Sequence, residues 1–217
     1  MNHRSFIRKA IGNVFFRFVY ETERHNGVGE LLEILGSIIN GFAVPLKKEH
    51  LSFLERVLMP LHKPKCVALY HQQLSYCIVQ YIEKEPDTVA AVLDGLARFW
   101  PWSCSSKQVL FLNELEDILE LIGAEQLPRV QERLFRLLAR CLASQHFQVA
   151  ERTLFLWNNE HLKPLSRQHA AEALPRIFEP LHRHGRGHWN ATVEGLAQNV
   201  LKMYMDYDPT LYGRCRD

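Results

Sequence analysis

Residues 17–46 read RFVYETERHNGVGELLEILGSIINGFAVPL. Within this stretch Val28, Leu31, Leu32, Leu35, Ile38, Ile39 and Phe42 recur mainly at steps of three and four. That spacing gathers side chains on one face of an α-helix. At 100° per residue the stripe is about 120° wide, enough for a face buried against neighbouring helices. His25-Asn26-Gly27 ahead of it marks the end of an earlier helix, because Asn and Gly accept the left-handed conformation at a helix C-terminus. Pro45 stops the pattern on the other side. The stretch therefore predicts a helix over 27–42 with one buried face, entered from a preceding helix and left through a short turn.

The same periodicity extends in both directions. Upstream, after Ser5, the residues Ile7, Ile11, Val14, Phe15, Phe18 and Val19 predict a first helix. Downstream, helices are predicted over 48–62, 68–83, 87–99, 106–122, 125–143, 145–159, 166–182 and 188–206, with an eleventh beginning at 209. Pro64, Pro86, Pro101, Gly123, Asn158-Asn159 and the loop 184–187 punctuate them. Asp87-Thr88 supplies an N-terminal cap. Pro175 and Pro180 fall inside the ninth helix and predict a kink or a split. No strand pattern and no low-complexity segment occurs.

Alternate helices start near residues 5, 48, 87, 125 and 166. That is a repeat of roughly 40 residues, the period of HEAT and armadillo units. Each unit is a helical hairpin that cannot bury its apolar face alone, so units stack and share a core. The fold expected is all-α: a HEAT/armadillo-like superhelical solenoid of about five antiparallel helix pairs, forming one repeat domain over residues 1–217.

The chain of 217 residues is 47% hydrophobic, enough to bury a continuous core, and its net charge is only +2 with both signs mixed along it. No basic block points to nucleic acid, and apolar runs such as 89–93 and 109–112 are far too short to span a bilayer. No apolar segment of signal-peptide type follows the first residues. The five cysteines are odd in number and widely spaced, with no C-x-x-C. They read as reduced, mostly buried thiols of an intracellular protein, cytoplasmic and/or nuclear. Asn190-Ala191-Thr192 matches a glycosylation acceptor and is read as chance.

Catalytic and metal-binding constellations are scarce. His182, His184 and His188 crowd the stretch HRHGRGH, but zinc needs a defined geometry and further Cys or carboxylate ligands. They read as a solvated loop. Glu114, Glu116, Asp117 and Glu120 share one helix and read as a solvated acidic face able to contact a partner. No P-loop, G-x-S-x-G, H-E-x-x-H or G-x-G-x-x-G is present. Neither an enzyme, a metal site nor a cofactor is expected.

One surface does stand out. Ile34 lies at a flank of the stripe on the helix over 27–42, about 40° beyond Ile38, so the pair at i, i+4 widens the apolar surface on one side only. The plain alternative is a broad core stripe. Lys47 and His50 follow where the third helix starts, and Arg4 and Arg8 sit at i, i+4 on the first. An apolar floor flanked by cations suits a short peptide with hydrophobic anchors and acidic residues, although each of these charges taken singly is an ordinary solvated one.

The stretch at 17–46 closely resembles the B-prime regulatory subunits of protein phosphatase 2A. So do LYH at 69–71, FLNELE at 111–116, HFQVAER at 146–152, WNNE at 157–160 and HWN at 188–190. The resemblance runs through essentially the whole chain in order, with divergence at 98–105 and 173–187. It implies a solenoid of HEAT-like repeats without catalytic activity of its own. It also implies assembly with a scaffold subunit and a metal-dependent catalytic subunit, and recruitment of proteins through an L-x-x-I-x-E motif.

By the same resemblance, Ile34 and Ile38 match the pocket for the motif isoleucine, and Lys47 and His50 the positions that meet its glutamate. Arg4 matches a wall of the leucine pocket, with Arg8 beside it. The family's helix preceding Arg4 supplies a His-Arg pair and a Tyr to the groove. This chain starts after that helix. Half of the groove and the N-terminal repeats are thus expected to be absent, leaving Phe15 and Phe18 as exposed neighbours of a missing repeat. A HEAT or armadillo adaptor without phosphatase association shares the composition but not the string at 17–46. An RNA-binding helical repeat would place Arg, Lys and aromatic residues at equivalent positions in each unit, and no such recurrence is seen.

Overall fold

A computed structural model describes residues 3–24 and 26–217. Among the described residues every regular element is helical, with twelve α-helices and no strand. The all-α class is the one the periodicity predicts. The chain forms two compact units, one ending at Trp100 and one beginning at Pro101. No helix among the described residues is long and apolar enough to cross a membrane.

The first unit contains α1 (His3–Arg17), α2 (Val28–Asn40), α3 (Lys48–Phe53), α4 (His71–Lys84) and α5 (Val89–Arg98). A π-helical turn, Phe18–Thr22, prolongs α1. A second, Leu54–Leu58, and a 3₁₀ turn, Met59–His62, carry α3 on to His62. The core stripe of α2 is buried at Val28, Leu32, Leu35, Ile38 and Ile39, each such side chain contributing about 1.5–3 kcal/mol. α2 lies against α4, where Gly36 admits the Tyr76 ring: a Cβ at this glycine would stand 2.8 Å from a ring carbon. The buried Cys77 thiol of α4 donates to the Leu32 carbonyl at 3.3 Å.

On α1 the buried face is Arg8, Ile11, Gly12 and Phe15, with Phe18 and Val19 just beyond. Phe15 and Phe18 are therefore core residues, not exposed ones; Ile7 and Val14 are the members of the expected stripe that face solvent. Phe53 packs onto this face at Gly12, its ring 3.0 Å from the position of an added Cβ.

The second unit contains α6 (Ser105–Glu120), α7 (Leu127–Leu142), α8 (Phe147–Phe155), α9 (Leu162–Gln168), α10 (Ala170–His184), α11 (Ala191–Tyr207) and α12 (Pro209–Arg216). Here α7 packs on α10, α8 on α11 and α6 on α8. Helices thus meet elements further along the chain as well as their sequence neighbours, the contact pattern of stacked hairpins.

Several local expectations are corrected in this unit. The break in the ninth predicted helix falls at His169, whereas Pro175 and Pro180 sit inside a continuous α10. The carbonyl that Pro175 leaves without a donor is that of Ala171, an exposed residue, so water can satisfy it. The acidic residues of α6 are only in part a solvated face: Asp117 and Glu120 are exposed, the other two are not. Glu114 is buried, Glu116 pairs with Arg152 of α8, and the Asn159 amide donates to Glu116 at 3.2 Å and to Glu120 at 2.7 Å. Nor do the histidines form a solvated loop. His184 is buried with Nε2 2.5 Å from the Leu142 carbonyl, His182 stacks on Phe178, and His188 stacks on Trp189. Of the five free cysteines only Cys77 and Cys141 are buried, and burial pushes both thiols up to about 12.

Asn190 has a structural role. It caps α11, its side-chain oxygen accepting from the N–H groups of Thr192 at 2.9 Å and Val193 at 3.3 Å. Replacing it with alanine leaves both donors without this acceptor. Asn190→Ala is expected to lower stability by about 1 kcal/mol, and Asn190→Asp to restore most of it. Equilibrium denaturation followed by circular dichroism measures this; an alanine variant as stable as the parent would show that the cap contributes nothing.

Candidate peptide-binding site

Three neighbouring segments of the first unit build the candidate site. α1 brings Arg4 and Arg8, the C-terminal turn of α2 brings Ile38, Gly41 and Phe42, and the start of α3 brings Lys47, Glu49 and His50. The loop 41–47 is anchored by Leu46, whose side chain is buried and whose N–H donates to the Glu85 carboxylate at 3.2 Å. This places Lys47 at the N-cap of α3, its carbonyl accepting from the N–H groups of His50 at 2.8 Å and Leu51 at 3.2 Å. A depression of about 200 Å³ opens among these segments, with Ser5 and Ala43 completing its lining.

The structure brings together five of the six residues singled out in the sequence: Arg4, Arg8, Ile38, Lys47 and His50 all line the depression. Ile34 does not. It is 50% exposed, one turn before Ile38 on α2, and extends the apolar surface away from the depression along the helix. Its exposure separates it from the core stripe, whereas Ile38 is 8% exposed and serves the core as well as the depression wall.

The two arginines differ in kind. Arg4 is exposed and crosses Gly41, its Nη1 lying 2.7 Å from where a Cβ would stand. Arg8 belongs to the buried face of α1 and is only 4% exposed. A buried cation requires a partner, and Glu49 supplies it at 3.1 Å. The guanidinium also lies 5.9 Å from the centre of the Phe42 ring and 6.0 Å from that of Phe53. The Arg8 hydrogen bond and charge hold the Glu49 carboxyl below the usual carboxylate range.

His50 is buried, stacked parallel on Phe42 at 3.9 Å, with Tyr81 of α4 edge-on to the same Phe42 ring at 5.9 Å. Its Nε2 is 3.7 Å from Glu49. Among the described residues neither its Nδ1 nor the buried Tyr81 hydroxyl has a hydrogen-bond partner. Burial lowers the His50 pKa; Arg8 and, more weakly, Lys47 push the same way, and Glu49 opposes them. His50 is therefore neutral at pH 7 and enters the site as a hydrogen-bonding ring more than as a charge. Arg4, Arg8 and Lys47 supply the positive charge, and Glu49 alone opposes it within the lining.

Sequence reasoning missed Glu49, Phe42 as the platform for His50, and Gly41 as the crossing point for Arg4. Glu49 carried no signal of its own, being one charged residue in a run KKEH whose packing against α1 was not visible. A wider cleft of about 610 Å³ in the same unit has Phe16, Tyr20 and Met59 in its lining. Glu55 and Asp94 balance Arg56 and Arg98 there, so it carries no net charge to select an acidic or basic ligand. No group of three His, Cys, Asp or Glu among the described residues is placed to hold a metal ion.

The packed helices, with a cation-lined, partly apolar depression in the first unit, define the class as an all-α protein. Comparison with known proteins specifies the family. The family model described as protein phosphatase 2A regulatory B subunit (B56 family) matches residues 1–217. The chain is 57% identical over 215 residues to the eta isoform of the Arabidopsis thaliana 59 kDa B' regulatory subunit of serine/threonine protein phosphatase 2A, covering 99% of this chain and 42% of that protein. It is 53% identical over 212 residues to the delta isoform of the Homo sapiens 56 kDa regulatory subunit, covering 98% and 35% respectively. It is 54% identical over 209 residues to the Caenorhabditis elegans regulatory subunit pptr-1, covering 96% and 39%. The chain thus spans less than half the length of these relatives, and it belongs to the B56 family.

The opposing influences on His50 give a measurable quantity. Its folded pKa lies below the ordinary 6.5, so the unfolded chain takes up the proton first. The contribution of His50 to stability is full above that ordinary value and falls as pH drops through it toward the folded pKa. An NMR titration of the ring is expected to give a midpoint below 6.5, and a lower one still in Glu49→Gln. A midpoint above the ordinary value would mean that the Glu49 charge outweighs burial and Arg8.

Proposed function

We propose that this chain is part of a non-catalytic regulatory subunit of protein phosphatase 2A. In this reading it joins the scaffold and catalytic subunits and recruits proteins through a short L-x-x-I-x-E motif. The relatives' names support the regulatory role. The observation that carries the motif reading is the convergence of Arg4, Arg8, Ile38, Lys47 and His50 on one depression, with Ile34 extending its apolar edge. The surroundings are those of the cytoplasm and/or nucleus, and the function requires no cofactor of this chain's own.

The division of labour follows from burial and charge. Ile34 and Ile38 offer apolar surface to the motif isoleucine, whose burial contributes roughly 1.5–3 kcal/mol. Lys47, exposed at the N-cap of α3, meets the motif glutamate with a charge-assisted hydrogen bond of about 1.5–3 kcal/mol before solvent screening. His50 adds a hydrogen bond from a ring whose stacking on Phe42 has already fixed its orientation. Arg4 walls the leucine side and offers charge to further acidic or phosphorylated groups.

Calorimetric titration with a synthetic L-x-x-I-x-E peptide tests this in the present chain and in one extended at its N-terminus toward the length of its relatives. Lys47→Glu and Ile34→Ala are expected to weaken binding at least about tenfold while leaving thermal stability nearly unchanged, because both side chains are at the surface. Ile38→Ala is expected to weaken binding and also to lower the melting temperature, because Ile38 is shared with the core. Tight binding by folded Ile34→Ala and Lys47→Glu in the extended chain would overturn the groove assignment. Assembly with the phosphatase is tested separately by pull-down with purified scaffold and catalytic subunits, and failure of the extended chain to be retained would overturn that part.

A further inference from the structure

We infer that Glu49 is a built-in competitor for the acidic ligand, sitting on the groove's most buried cation and setting how much negative charge the site accepts. The inference rests on the groove reading above and concerns a residue that reading does not use. Glu49 is the one carboxylate in the lining, and its side chain is about half exposed at 48% while that of Arg8 is 5% exposed. The acid thus covers the arginine from the solvent side. With Arg8 compensated at 3.1 Å and His50 neutral, the charge left for an incoming acid is that of Lys47 and Arg4. Among the described residues neither of these is engaged in an ion pair.

The consequence is a filter. A ligand carboxylate arriving beside Lys47 and His50 comes close to Glu49, whose Oε1 is 3.7 Å from His50 Nε2. Like charges at such range repel in a site that is partly dehydrated. A nonspecific anion then gains little, since the pull of Lys47 is offset by the push of Glu49. A ligand that also buries apolar side chains on Ile34 and Ile38 has the extra binding energy to overcome it. Specificity here comes from an unfavourable element placed next to a favourable one. The arrangement also keeps Arg8 from presenting a bare charge when the site is empty, which a buried guanidinium otherwise does at a cost.

Isothermal titration of the parent chain extended at its N-terminus as above, and of its Glu49→Gln and Glu49→Asp variants, decides the matter with two synthetic peptides. One carries L-x-x-I-x-E with alanine at the x positions; the other has glutamine in place of its glutamate. Glutamine keeps the shape of Glu49 and an oxygen for Arg8 but removes the charge. Glu49→Gln is expected to bind the acidic peptide about three- to tenfold more tightly than the parent at low ionic strength, with the gain shrinking in salt. The neutral peptide is expected to bind both proteins alike, and Glu49→Asp to keep the parent's behaviour. Unchanged or weaker binding of the acidic peptide by Glu49→Gln, or equal tightening toward both peptides, would overturn the inference while leaving the groove reading intact if the parent still prefers the acidic peptide. Binding of neither peptide to any of the three proteins, with their helical circular dichroism intact, would overturn the groove reading and this inference together.

Discussion

The first unit depends on α2 being packed from two sides. One part of its surface lies against α4, close enough at Gly36 for the Tyr76 ring to rest on the helix backbone, and another meets α1. A helix held by two neighbours has little freedom to rotate, because turning it by one residue would carry Leu32, Leu35 and Ile39 out of the core together. The flank left over is where Ile34 emerges. Its exposure is therefore a consequence of the core's geometry and does not require a ligand to explain its orientation. In the proposed reading a ligand accounts for an isoleucine at such a place, where a polar residue would satisfy the helix as well.

The second constraint is the burial of Arg8. On α1 the residues facing inward are separated by helical steps that include position 8, so the cation is carried into the interior by its neighbours Ile11, Gly12 and Phe15. Desolvating a guanidinium is unfavourable unless a partner and polarizable surroundings are at hand. Glu49 and the faces of Phe42 and Phe53 provide these. The same three residues connect α1 to the start of α3 and to the loop after α2, so the ion pair that satisfies the buried cation also holds the walls of the depression in register. A site whose walls are tied by an internal salt bridge is organised before any ligand arrives, which reduces the ordering cost of binding.

Much of this was legible in the sequence. The stripe at 28–42 and the Gly, Asn and Pro punctuation placed nearly every helix, because burial on one face and termination chemistry are local properties. The resemblance at 17–46 led to the family. The failures have a common cause. Whether Arg8 or Ile7 faces inward, whether Glu114 is solvated, and whether His184 lies in a loop or in the core depend on which helix packs alongside. That information is distributed over residues about 40 apart in sequence, such as Cys77 under Leu32 or His184 under Leu142. The prolines of α10 misled for a different reason: the carbonyl that Pro175 deprives of its helical donor belongs to exposed Ala171, where solvent can reach it and a bend can relieve the ring.

Size alone does not make a recognition site. The cleft lined by Phe16, Tyr20 and Met59 has about three times the volume of the depression beside Arg4, yet its two acids and two arginines cancel. In the smaller depression the imbalance survives because its members are separated by depth. Arg8 and Glu49 compensate each other beneath the surface, His50 is kept neutral by burial and by Arg8, and Lys47 and Arg4 remain at the rim. The rim charge then acts next to an apolar wall, where water is partly excluded and each interaction counts for more than it would in open solvent. In the proposed reading the arrangement favours a ligand that offers an acid and an aliphatic side chain within a few residues of each other, since neither feature alone engages both the rim and the wall.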